Sequence, residues 1–261
     1  MSVKVTERDT DLIKTIYKYR YLSLEQIIRL FFPSKQMAEK RLRQLITEKY
    51  LKKHDATPVV FLLNHRGHEV AKSELHGTLP YHTVIIEHVK QMFLEHTISI
   101  NDFRISLTLA CKEKGIELVS FIPCYWKNRL LRGESMYLVH EADALIVLKK
   151  DDIHYLYFLE VDKGTETLSG VLKMVRFYVN HHNLETYKPY ETIFQCEFKG
   201  FKALVVTNSS TRLENMREKA KTVLNYDSKH IVLAMESINE NTVFDNWVSL
   251  DVNDNQRYSI F

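Results

Sequence analysis

Tyr155-Leu-Tyr-Phe-Leu-Glu-Val-Asp-Lys163 is an apolar, aromatic run that closes on alternating acids. Aromatic and branched residues suit a strand, and side chains alternate along one. Glu160 and Asp162 therefore share a face, while Val161 and Lys163 take the other. Upstream, Glu141-Ala-Asp143 opens a second apolar run, Ala144-Leu-Ile-Val-Leu148, and Lys149-Lys-Asp-Asp152 between the two runs reads as a turn. Acids beside such runs are costly unless something pairs with them. Adjacent strands delivering Asp143, Glu160 and Asp162 to one spot would make a hard-oxygen site for Mg²⁺ or Mn²⁺, of the kind used to cut phosphodiesters.

Working outward, a helix is predicted over about 166–182, with Glu166 and Lys173 on one face, seven residues apart. A cation reaching back from Lys173 would stabilise charge developing beside the acids. Phe201–Thr207 is a further strand, Ser210–Leu224 a helix, and Ile231–Ala234 a last strand. On the upstream side, Ile116–Phe121 is a strand behind a helical region that ends near Lys114 and is broken around 96–101. The alternation predicts a mixed sheet with helices on both faces. The segment 184–200 reads as a surface hairpin or lid.

The first third is of another kind. Thr6-Glu-Arg-Asp9 and Ser23-Leu-Glu-Gln26 are capping-box patterns before apolar stripes, and Ser34 follows Pro33 to start a third helix. That helix buries Ala38, Leu42, Leu45 and Ile46 and turns Lys35, Gln36, Lys40 and Arg43 outward. Leu51-Lys-Lys-His54 and Val59–Leu63 flank a turn, and a helix from Asn64 to Leu75 follows. Three helices and a hairpin carrying Lys52 and Lys53 predict a winged helix-turn-helix over 1–78. Lys35, Gln36, Lys40 and Arg43 would face DNA, Gln36 at a base edge and the lysines on phosphate. His76-Gly-Thr-Leu-Pro80 marks the expected boundary to a second domain over 79–261.

Charge agrees with that division. Residues 1–80 hold 15 Lys+Arg against 9 Asp+Glu, and the remaining 181 hold 21 against 24, so the basic excess lies in the part expected to meet a polyanion. Cys111, Cys124 and Cys196 form neither a disulfide framework nor a zinc spacing. No eighteen-residue apolar run and no signal-peptide core occur, so a cytoplasmic protein without membrane contact is expected. A Gly-rich phosphate loop is also absent, which argues against an ATP- or NAD-using enzyme. His181-His182 has the wrong spacing and setting for a strand-borne metal site. Trp126 and Trp247 have packing roles by default, Tyr178 packs in the core or against substrate, and no tyrosine stands out as a nucleophile.

Asp143-Ala on one strand, the strand ending Glu160-Val-Asp162-Lys-Gly-Thr-Glu166, and the following helix with Lys173 and Tyr178 resemble the replication-relaxation family. So does their order after a winged helix and a helix bearing His96 and Asn101-Asp102. The resemblance covers residues 7–225 and extends to MobC-type relaxases. It implies a restriction-endonuclease-like PD-(D/E)XK domain, with Asp143 and Glu160 as metal-binding acids and Asp102 as an additional one. The family's lysine two places after the Glu is Asp162 here, and Glu141-Ala stands where a Pro is common. Lys173 or Lys163 would then supply the cation, or turnover is lost.

The resulting expectation is a DNA-binding, relaxase-like protein of a plasmid or mobile element. It would nick double-stranded DNA at an origin by Mg²⁺-dependent hydrolysis, alongside other replication or conjugation proteins. The alternatives are a non-catalytic regulator with a degenerate nuclease-like domain and a defence endonuclease that uses the same chemistry.

Overall fold

Helix α1 (Glu7–Tyr19) begins at a complete capping box, with the Thr6 hydroxyl accepting from Asp9 N and Asp9 Oδ2 accepting from Thr6 N. Strand β1 (Leu22–Ser23) runs straight into α2 (Leu24–Phe31), which Ser23 and Gln26 cap in the same reciprocal way. Ser34 caps α3 (Lys35–Thr47). β2 (Leu51–His54), β3 (Val60–Leu63) and α4 (His65–Glu74) complete the set. The strands pair antiparallel in the order β1-β3-β2, so the order of elements is that of a winged helix. The two-residue β1 was not legible as a strand, because Ser23 is also a helix cap. The computed structural model describes residues 4–75, 90–123, 142–164, 166–224, 228 and 230–261. The expected boundary at 78/79, Cys124, Trp126 and Glu141 lie outside them.

Leu12, Ile13, Ile16, Ile27, Leu42 and Leu45 close the core of this unit; Ile46, expected inside, is only half-buried. Arg41 reaches from α3 to the fully buried Asp9, with Nε 2.9 Å from Oδ1. Burial works against the Asp9 charge, but hydrogen bonds from Arg41 and Thr6 outweigh it and hold the carboxyl below its ordinary value. At Gly67, α4 passes so close to the chain that an added Cβ would lie 2.2 Å from Tyr50 O.

Helix α5 (Gln91–Lys114) is continuous, which corrects the expected break around 96–101. The polar residues that suggested the break are there to make long-range bonds. Buried Asn101 donates Nδ2 to Tyr19 O and Tyr21 O at 3.1 and 2.9 Å, and Gln26 Nε2 donates to Ile98 O and Asp102 Oδ1. Leu94 and Ile98 join Tyr21, Val60 and Leu62 in one apolar cluster. The chain divides into two compact units, Met1–Ile105 and Ser106–Phe261, and the division falls inside α5.

Among the described residues the second unit is built on a seven-stranded sheet of order β10-β9-β8-β7-β6-β5-β4. β4 (Glu117–Pro123), β5 (Ala144–Lys150) and β6 (Ile153–Asp162) form an antiparallel meander. From β6 the chain crosses through α6 (Leu168–Asn183) and a short α7 (Pro189–Phe194) to β7 (Phe201–Thr207), parallel to β6. It then crosses through α8 (Ser210–Ala220) to β8 (Val232–Met235), parallel to β7. Two further antiparallel strands, β9 (Trp247–Ser249) and β10 (Arg257–Tyr258), extend the sheet past the strand expected to be last. α6 and α8 pack on each other and cover one face, where Phe158 meets Tyr178 and His181; Tyr157 on the other face lies near Cys111 of α5. The result is a mixed sheet flanked by helices. In place of the expected hairpin or lid, 184–200 contains α7, and Tyr187 and Tyr190 in this segment are buried.

Candidate functional site

Asp143 stands one residue before β5 and Glu160 near the end of β6. The register that pairs Ala144 with Leu159 sets them side by side on one face. Asp143 N donates to Leu159 O at 2.9 Å, and Asp143 Oδ2 accepts from Val161 N at 2.7 Å. Glu160 Oε1 accepts from the hydroxyl of Tyr178 in α6 at 2.5 Å. Tyr178 is fully buried, and burial, the adjacent Glu160 carboxylate and Asp143 together hold its phenol far above the ordinary value. It is a proton donor to Glu160 at neutral pH, not a phenolate nucleophile.

Asp162 lies two residues on, on the same face, but its carboxylate is already answered. Arg212, in the first turn of α8, donates Nε to Oδ2 at 2.6 Å and Nη2 to Oδ1 at 3.3 Å, while Gly164 N donates to Oδ1 at 3.0 Å. The same guanidinium reaches Glu166 O at 2.7 Å. Lys173 is exposed on α6 and forms no ion pair with these acids, and Lys163 uses its carbonyl to accept from Asn208. Asp143 and Glu160 are thus brought together, Asp162 is tied to Arg212, and Lys173 is not brought in. Asp102 lies in the other unit and accepts from Gln26.

Two adjacent carboxylates suit Mg²⁺, which keeps several waters and takes one or two protein carboxylates. Among the described residues no three His, Cys, Asp or Glu side chains converge as metal ligands. The donor set therefore fits Mg²⁺ through Asp143 and Glu160, and not through Asp162 while Arg212 holds it.

The other candidate surface is on α3. Gln36, Lys40, Arg43 and Thr47 are exposed at helical spacing opposite Ala38, Leu42 and Leu45. Lys35 is also exposed, 3.9 Å from Glu39. On β2, Lys53 is exposed but pairs with Asp55 at 2.5 Å, and Lys52 takes the opposite face of the hairpin, half-buried and within electrostatic reach of His68. The wing therefore presents less free charge than its two lysines suggest. Sequence reasoning missed Arg212 and underrated Tyr178. The first is fifty residues from its partner, and the second has ordinary core spacing.

A helix-rich unit of winged-helix order, followed by a mixed sheet bearing two side-by-side carboxylates, defines a two-part α+β protein. The chain belongs to the replication-relaxation family, whose profile matches residues 13–196. No curated protein matches it. Among solved structures, the restriction endonuclease FokI aligns at 16% identity over 81% of this chain and 40% of that one, with a TM-score of 0.27. No helix among the described residues is long and apolar enough to cross a membrane.

Proposed function

We propose that this protein binds duplex DNA through α3 and the β2–β3 hairpin and nicks it at the Asp143–Glu160 pair, as part of plasmid or mobile-element replication. The observation that carries this is the side-by-side placement of those two carboxylates at the ends of neighbouring strands. Mg²⁺ held there would supply a water of lowered pKa and a positive charge beside the scissile phosphate. Val161 N fixes the Asp143 carboxylate, and the Tyr178 hydroxyl fixes that of Glu160, so both acids are oriented before DNA arrives. Family membership supports a part in replication, and the outward row on α3 supports duplex contact.

A second reading has its own observation. The position of the family's lysine is an acid neutralised by Arg212, and Lys173 stands apart from the carboxylates. That favours a non-catalytic DNA-binding regulator on a nuclease-like scaffold. Supercoiled plasmid carrying the cognate origin, incubated with Mg²⁺ or Mn²⁺, separates the two. Open-circle product from the parent but not from Glu160→Gln supports nicking. Retarded origin DNA without cleavage at any metal concentration selects the regulator.

A further inference from the structure

At the opposite end of β6 from the carboxylates, where β6, β7 and β8 begin, the second unit has an open cavity of about 320 Å³. Tyr155, in the middle of its β6 lining, is five strand steps from Glu160, about 17 Å. Ligand pockets start near this size, with room for one small molecule and none for a duplex. Three aromatic rings form much of its wall. Tyr155 and Phe261 meet edge to face at 5.1 Å, and Phe201 closes the side toward α6.

Its charged side chains are of one sign. Lys202 and Lys199 border the space with His230, and no Asp or Glu side chain among the described residues does. Lys202 is the informative group. It is half-buried, and its ammonium donates to Ser259 O at 3.2 Å and Ile260 O at 2.8 Å. An ammonium has three donors, so two carbonyls leave one unused and the charge unneutralised. No described carboxylate lies within ion-pair distance. Burial accordingly pulls its pKa below the ordinary lysine value, a cost that an anion in the cavity would remove.

We propose that this cavity binds a nucleotide, its base against Tyr155 and Phe261 and its phosphate on Lys202, at a site separate from the carboxylates. Aromatic faces accept any base, and the lysine supplies the point charge that a phosphate needs. Two sources share that chemistry: a free mononucleotide, or the 5′-phosphorylated end of a DNA strand.

The test is calorimetric titration of the full chain, without divalent metal, so that its result is independent of the nicking proposal. The probes are thymidine 5′-monophosphate, thymidine, inorganic phosphate and 5′-phosphorylated oligothymidylate. The expected result is saturable binding of the mononucleotide or the oligonucleotide. Lys202→Met should weaken it by roughly tenfold or more, the value of one charge-assisted hydrogen bond. Tyr155→Leu, which leaves the two carbonyls served, should weaken it as well and guards against misfolding of the lysine variant. Mononucleotide binding assigns a free nucleotide; binding of the oligonucleotide alone, lost in both variants, assigns a strand end. Thymidine binding as tightly as its phosphate, binding undiminished in both variants, or no binding of either probe overturns the proposal.

Discussion

Arg212 and Asp162 show what a single side chain decides here. The Asp162 carboxyl is 8% exposed and the arginine 14%, so each charge depends on the other. Removing one partner of such a pair leaves an uncompensated charge, and Arg212→Ala should cost about 3 kcal/mol in denaturant unfolding. Asp162→Asn with Arg212→Met should recover part of that loss, and a coupling near zero in the double-mutant cycle would refute the pairing. His181 gives a pH-dependent counterpart. Burial, reinforced by His182, pulls its imidazole from 6.5 to about 4. Between those values the unfolded chain binds the proton and the folded chain does not. Stability should therefore be full above 6.5, fall as the pH drops toward 4, and change no further from this group below it. Thermal melts of His181→Phe across that window should show a shallower fall than the parent.

At the scale of elements, what was legible depended on where each helix or strand found its partners. Thr6, Ser23 and Ser34 announce α1, α2 and α3 because caps are local chemistry, and the structure puts each start at the expected residue. β5 and β6 were legible because each holds a run of four or five consecutive buried residues. α5 was misjudged as broken because Thr97, Asn101 and Ser106 are polar yet buried, and nothing adjacent in sequence marks Tyr19 and Tyr21 as partners of Asn101. β9 and β10 have three and two residues, too few for a period to show. The site divides in the same way. Asp143 and Glu160 could be placed from strand alternation, whereas the Arg212 contact depends on the crossover through α8. Asn101→Leu tests the α5 contact: it leaves two buried carbonyls unmet and should cost about 2 kcal/mol or more in chemical denaturation. A loss under half that size would mean that water reaches those carbonyls.

For the whole molecule, the uneven charge makes a prediction about salt. If Lys40 and Arg43 meet phosphates, each released contact should lower the slope of log K against log salt by about 0.9, so the double alanine variant should lose about 2. Gel shifts across a salt series measure that slope, and an unchanged slope would move the contact elsewhere. Lys53→Ala should change it less, because Asp55 already neutralises that lysine.

The continuity of α5 also bears on how this chain can be cut. A fragment ending near residue 80 would carry all of the elements α1 to α4. It would nevertheless strip Leu94 and Ile98 from Tyr21, Val60 and Leu62 and leave the Tyr19 and Tyr21 carbonyls without Asn101. A fragment that keeps the first unit's contacts should therefore extend through Ile105, some thirty residues past its last sheet-side helix.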